Sequence, residues 1–358
     1  MDVSQVNDHL IHGRLEAPGV FPHLDALARA PFTFHVDFGL STLPDAGGLL
    51  LIRGPRQYGK STWLEGRLRE TVLEFGPGSA FYLNGDEIGD RQELTRAIRQ
   101  LVALYRPDTH VRRLFLDEVT AIEGWERALK LLIDRGELRD VLVVTTGSRA
   151  TDLRRGVERL PGRKGRLARS AYLFTPLSFA EFRRVCGEAL GDRALVAYLL
   201  SGGCPLAASE MATGGRLPEF VVEMIRDWIL GECAASGRDR SSLIAVWDVV
   251  LRRGGSPIGQ AAVAREGGLA NNTVAAGYLQ MLADLMTLGA AHAWDADRRM
   301  SVRRRPAKFP PINLLAAVAF DRARLRSIDD FLALPADVQG RWLEWLVAQE
   351  ISRRAARR

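Results

Sequence analysis

The sequence predicts an α/β protein, a parallel sheet with flanking helices, followed by a helical C-terminal third. Three observations carry this reading. A GxxxxGKS segment stands between an apolar run and a helical pattern; further short apolar runs alternate with amphipathic stretches; and from Ser241 onward the periodicity becomes helical. The chain has 358 residues, 47% of them apolar, enough for two or three domains and at least one large core. Cys186, Cys204 and Cys233 are widely spaced, with no CxxC pattern and no neighbouring His, so three reduced thiols are expected rather than disulfides or a zinc site. No apolar stretch reaches the roughly 18 residues of a membrane span. The N-terminus lacks a signal-peptide pattern, so a soluble, cytoplasmic protein without a membrane partner is expected.

The first strand is expected at Leu49-Leu50-Leu51-Ile52, after Gly47-Gly48. The segment Gly54, Pro55, Arg56, Gln57, Tyr58, Gly59, Lys60, Ser61, Thr62 follows, and a helix runs from Trp63 to Leu73. Strand, GxxxxGKS and helix in this order form a phosphate-binding loop. Backbone N–H groups must curve around phosphates while the helix N-terminus presents its partial positive charge. Gly54 and Gly59 permit the curvature, Lys60 reaches the β- and γ-phosphates, and the Ser61 hydroxyl completes a Mg²⁺ shell. ATP and Mg²⁺ are therefore the expected ligands.

The second half of such a site is expected on a later strand. Arg113-Leu114-Phe115-Leu116-Asp117-Glu118 supplies it, an apolar run ending in two carboxylates. Asp117 would hold the metal through its water shell, and Glu118 would accept a proton from attacking water, which reads as ATP hydrolysis. Ala80-Phe81-Tyr82-Leu83-Asn84, Val141-Leu142-Val143-Val144-Thr145-Thr146 and Tyr172-Leu173-Phe174 complete the strands. Ligands of such sheets bind beyond the carboxyl ends of the strands, where Gly54, Asp117 and Ser148 fall.

These segments, with Gly124-Trp125-Glu126, Thr146-Gly147-Ser148, Gly162-Arg163 and Pro176-Leu177-Ser178-Phe179-Ala180-Glu181-Phe182, appear in the order found in prokaryotic AAA-type ATPases. The chain resembles, over roughly residues 20–350, the archaeal-type ATP-binding proteins that carry a C-terminal nuclease-like domain. The resemblance implies that Ser148 senses the γ-phosphate or positions water, the alternative being a turn serine. It implies that Arg163 stabilises the transferring charge within the subunit or across a homo-oligomer. Lys164 and Arg166 stand beside Arg163, and a solvated basic loop is the alternative.

Residues 1–240 balance at 32 basic and 32 acidic side chains, whereas residues 241–358 carry 17 and 11. The net charge of +6 thus lies in the last third. Its densest cluster is Arg298, Arg299, Arg303, Arg304, Arg305 and Lys308, which suits either a polyanion or a solvated loop. Helices are expected over 243–250 and 258–266, with a glycine turn at 267–271 and a third helix from Asn272 to Leu285. A hairpin over 290–302 would act as a wing carrying the arginines. This describes a winged helix for DNA, with Asn271, Asn272, Thr273 and Gln280 on its reading helix, or a protein-packing module on the same fold. The last segment, residues 340–351, resembles the first helix of the nuclease-like domain, with Glu344 at its acidic position. No further acidic and lysine motifs follow, so no nuclease chemistry is expected.

The expected organisation is an N-terminal segment (1–30), a P-loop AAA-type core (31–185), a helical connector (186–240), a winged-helix domain (241–308) and a C-terminal helical segment (309–358). The expected function is ATP hydrolysis coupled to a DNA-associated task; the alternative is a slow nucleotide-dependent switch that binds a protein partner. Replacing the phosphate-loop cation in Lys60→Ala is expected to abolish nucleotide binding in equilibrium titrations, and unchanged affinity would remove the phosphate-loop assignment.

Overall fold

A computed structural model describes residues 2–147, 165, 167–302 and 305–357. Ser148, Arg163, Lys164, Arg166, Arg303 and Arg304 lie outside the described residues. The central sheet contains β1 (Gly48–Arg53), β2 (Ala80–Asn84), β3 (Arg112–Asp117), β4 (Val141–Gly147) and β5 (Ala171–Leu173). All neighbours pair in parallel, in the order β2-β3-β4-β1-β5.

The apolar runs are continuous because both faces of the sheet are covered. Leu49, Leu51, Leu114, Leu116, Val141 and Val143 point to one side, where they meet α4 (Arg91–Val102) and α5 (Trp125–Asp134). Leu50, Ile52, Phe115, Leu142 and Val144 point to the other, where they share a core with Leu64, Leu68 and Val72 of α3 (Lys60–Phe75). Arg113 also enters this side. Its guanidinium donates to Thr71 Oγ1, the Leu43 carbonyl and Asp45 Oδ1, which satisfies a charge that burial would otherwise penalise.

The N-terminal segment is part of the same body. Helix α1 (Val3–Ile11) lies against β2, and the Asn7 side chain completes the edge strand. Its Nδ2 donates to the Tyr82 carbonyl at 2.8 Å, and its Oδ1 accepts the Tyr82 N–H at 2.9 Å. One carboxamide thereby supplies the donor and acceptor that a sixth strand would have offered, and the sheet edge is covered. Helix α2 (Pro22–Ala28) is fastened to α3 by Glu65, which accepts the His23 and Leu24 N–H groups at 3.0 and 3.1 Å and meets His23 Nδ1 at 2.6 Å.

Helices dominate after the sheet. Ser178 caps α6 (Phe179–Leu190) by accepting the Glu181 N–H, and α7 (Ala194–Ser201), α8 (Pro205–Gly214) and α9 (Glu219–Ala235) follow. Glu181 is occupied by the His35 N–H at 2.6 Å and by Arg184. Next come α10 (Arg240–Arg253), α11 (Gln260–Glu266), α12 (Asn272–Asp284) and an antiparallel hairpin of β6 (Ala293–Asp295) and β7 (Met300–Val302). Single bridges join Ile258 to Ala307 and Ala291 to Lys308, extending the hairpin back to the chain entering α11. Helices α13 (Leu314–Phe320), α14 (Ile328–Leu332) and α15 (Ala336–Ala356) close the chain. Helix α15 returns to the sheet domain, where Arg169 donates to the carbonyls of Ala356 and Arg357 at 2.7 and 3.1 Å. Among the described residues, no helix is long and apolar enough to cross a membrane.

The hydrogen bond to Glu65 raises the pKa of His23 above its ordinary 6.5, against partial desolvation. The folded chain therefore holds this proton more tightly than the unfolded chain does. The resulting stabilisation is complete below the unfolded value and is lost as the pH climbs through the folded one. Urea unfolding of the native chain and His23→Gln from about pH 5 to about pH 9 should show the native advantage shrinking on the alkaline side. A pH-independent gap would contradict this.

Candidate nucleotide-binding site

The carboxyl ends of β1, β3 and β4 converge on one side of the sheet. After β1, residues 54–59 form the loop and Lys60 begins α3. Gly59 adopts φ +94°, a left-handed conformation that favours glycine, while a Cβ on Gly54 would stand 2.7 Å from the Phe174 carbonyl oxygen. These two constraints explain the glycines at both ends of the loop.

Lys60 is 5% exposed, and its Nζ donates to the carbonyls of Pro55 at 2.8 Å and Gly54 at 3.1 Å. Burial lowers its pKa, while the nearby Glu118 and Asp117 carboxylates oppose that shift. The ammonium is thus held inside the loop by backbone oxygens, with the two carboxylates at the end of β3 nearby. Ser61 and Thr62 follow in the first turn of α3.

Asp117, 5% exposed, ends β3. Its Oδ1 accepts the hydroxyl of Thr146 at the end of β4 and the Glu118 N–H at 3.1 Å. Thr146 Oγ1 also lies 3.3 Å from the Glu118 nitrogen. Glu118 itself has φ +45°, an uncommon conformation for a side-chain-bearing residue that turns the chain sharply off the strand. The structure therefore brings together Lys60, Asp117, Glu118 and the loop residues named from sequence. It adds Thr146, which sequence reasoning placed in a strand and in the Thr146-Gly147-Ser148 segment but assigned no role at the site. No local signal marks this role, because only the strand order sets β4 beside β3.

A cleft of about 870 Å³ opens beside the loop. Tyr58, Gly59, Thr62 and Trp63 line it from the loop and α3; Phe32, Phe34 and Val36 from the N-terminal segment; and Pro205 and Leu206 from α8. Polar contacts at its margin include His35, Asp37 and Arg357, and the Asp37 and Arg357 side chains pair at 2.7 Å. Much of this wall comes from residues before β1, from α8 and from Arg357, outside the motif, so motif spacing could not reveal it.

The loop is also tied to the helical half. Tyr58, 1% exposed, donates its hydroxyl hydrogen bond to Asn313 Oδ1 at 2.9 Å. The Asn313 side chain caps α13 by accepting the Ala316 N–H at 3.1 Å. The Cys204 thiol meets the Gln57 carbonyl at 3.7 Å, next to the start of α8. Burial pushes that thiol up to about 11, so it is protonated and able to donate.

Residues 47–183 match the AAA domain family. No curated protein matches the sequence. Among solved structures, the chain is similar to the Walker-type ATPase PABY2304 of Pyrococcus abyssi, with 14% identity, coverage of 76% of this chain and 90% of that one, and a TM-score of 0.49. It is also similar to the ORC2 protein of Aeropyrum pernix in ADPNP–ADP complexes, with 14% identity, coverage of 94% and 98%, and a TM-score of 0.42. A RuvB variant of Thermotoga maritima gives 18% identity, coverage of 71% and 84%, and a TM-score of 0.36.

Replacing Thr146 with Val keeps the shape but leaves Asp117 without a hydroxyl donor. Thr146→Val is expected to weaken Mg²⁺-dependent nucleotide binding about tenfold, while Thr146→Ser retains it. Titrations with and without Mg²⁺ check this, and equal affinity for both variants would make Thr146 a packing residue.

Proposed function

We propose that this chain binds and hydrolyses Mg-ATP and couples turnover to a DNA-associated process through a winged-helix module in residues 241–308. One observation carries the hydrolytic part. A buried lysine in the loop after β1 feels the charges of the Asp117–Glu118 pair at the end of β3, with Thr146 of β4 between the two strands. Phosphates take the curve of residues 54–59 and the N-terminus of α3, with Lys60 opposite the transferring group. The aromatic and aliphatic cleft beside Gly59 receives the base, to which Trp63, Phe32 and Phe34 offer faces.

The donor set fits magnesium, because Ser61 and Asp117 offer hard oxygens and Mg²⁺ ordinarily uses one or two protein oxygens beside phosphates and water. When bound, the metal neutralises charge building on the phosphate oxygens. Glu118 takes a proton from water as that water's oxygen bonds to the γ-phosphorus and the bridging bond to the β-phosphate breaks. Thr146 fixes Asp117, and the Glu118 N–H bond to Asp117 holds the base beside it. Ser148 as a γ-phosphate sensor and Arg163 as the stabilising arginine, in cis or from a second subunit of a homo-oligomer, belong to the same proposal.

The DNA-associated part rests on the order of α10, α11, α12 and the hairpin, and on the basic excess of residues 241–358. A second reading, a slow nucleotide-dependent switch that presents its C-terminal part to a protein, is favoured by Leu343, Val347 and Ile351. They form an exposed apolar row along α15.

Steady-state hydrolysis by the native chain and Glu118→Gln, each with and without DNA, tests both readings. The variant should keep nucleotide affinity and lose turnover by about a hundredfold or more. Stimulation of the native chain by DNA supports the coupled ATPase; bound nucleotide with little turnover and no DNA effect supports the switch.

A further inference from the structure

We infer that the β6–β7 hairpin is a contact for single-stranded nucleic acid, with Trp294 as a stacking platform and the arginines around it holding the backbone. The inference rests on the nucleic-acid reading of residues 241–308 and names the form of the partner.

Trp294 is 65% exposed, the most exposed of the large apolar side chains among the described residues. Trp125, Trp228, Trp247, Trp342 and Trp345 are buried, and Trp63 lines the cleft beside the phosphate loop. Trp294 sits opposite Ser301 in the hairpin register, so no bulky cross-strand neighbour covers its ring. Arg298 and Arg299 form the tip, and Arg305 lies where the chain leaves the second strand. Among the described residues, Arg299 and Arg305 have no carboxylate partner. Arg298 approaches Asp295 only at 4.0 Å, and that carboxylate is engaged by the Asp297 and Arg298 N–H groups.

The helix that would read a duplex is poorly equipped for it. No Lys or Arg occurs from Asn271 to Asp297. Asn271 spends its side-chain oxygen on the Val274 N–H, and the Gln280 amide donates to Asp284 Oδ1. Base-edge recognition in a duplex groove relies on bidentate Arg, Asn or Gln side chains and on phosphate contacts that set the register. An exposed aromatic ring flanked by free guanidinium groups is instead the chemistry of unpaired bases, which offer a π-face to stack and a backbone to neutralise.

All seven tryptophans emit, so the Trp294 contribution in the full chain is read as the difference between the native chain and Trp294→Phe. A single-stranded oligothymidine and a duplex of equal length are titrated at one fixed salt concentration, with acrylamide quenching in parallel. The single strand is expected to quench the emission and shield it from acrylamide. Trp294→Ala should lower single-strand affinity about tenfold or more, and Trp294→Phe should retain most of it. Tighter binding of the duplex, or single-strand affinity unchanged in Trp294→Ala, would overturn the inference while leaving a DNA partner in place. Binding of neither form would overturn it together with the DNA reading.

Discussion

The candidate site depends on the placement of β4 between the phosphate-loop strand and the carboxylate strand. If β1 and β3 were direct neighbours, Asp117 would stand against the loop with no strand end between them. With β4 inserted, Thr146 occupies that place and gives Asp117 a hydroxyl donor. A carboxylate that is 5% exposed needs such partners, since an unpaired buried charge is far costlier than a hydrogen-bonded one. Lys60 presents the same problem with the opposite sign. Two loop carbonyls and the field of Asp117 and Glu118 answer it. The lysine and the two carboxylates thus answer one another within the chain itself.

The walls of the site come from distant parts of the chain. The N-terminal segment is pinned by Asn7 at the sheet edge and by Glu65 under α2, and this leads Phe32, Phe34 and Val36 past the loop. From the other direction, Tyr58 and Asn313 join the loop to α13, and Arg169 holds the end of α15 near the same cleft. The Gly39 backbone meets Arg357 so closely that a Cβ there would lie 3.0 Å from the Arg357 carbonyl oxygen. Through these contacts the phosphate loop is joined directly to the helical half.

Within that half, the basic residues divide by their surroundings. Arg252, Arg253 and Arg322 pair with Asp248 or Glu266, and Lys308 reaches Glu344 at 3.0 Å. Glu344 therefore serves an ion pair on the exposed side of α15. Among the described residues, Arg299 and Arg305 have no carboxylate partner and lie in or beside the hairpin that carries the exposed Trp294. Exposed pairs of this kind stabilise the fold little, but they remove charge from the surface that a polyanion would meet.

The sequence by itself determined the strands, the phosphate loop and the carboxylate pair. Each rests on local rules: a glycine where φ must be positive, a lysine and hydroxyl at a helix start, and an unbroken apolar run where both faces of a strand are buried. It also carried the helix, turn and helix order of residues 240–284, because Asn271 and the glycines before it are local stop and start signals. Strand order, the partner of Asp117, the cleft and the Tyr58–Asn313 link were decided only by the tertiary structure. They depend on which apolar face meets which, and on buried polar atoms finding partners up to 255 positions away. No local propensity encodes those pairings; packing and the cost of unsatisfied buried groups select them together.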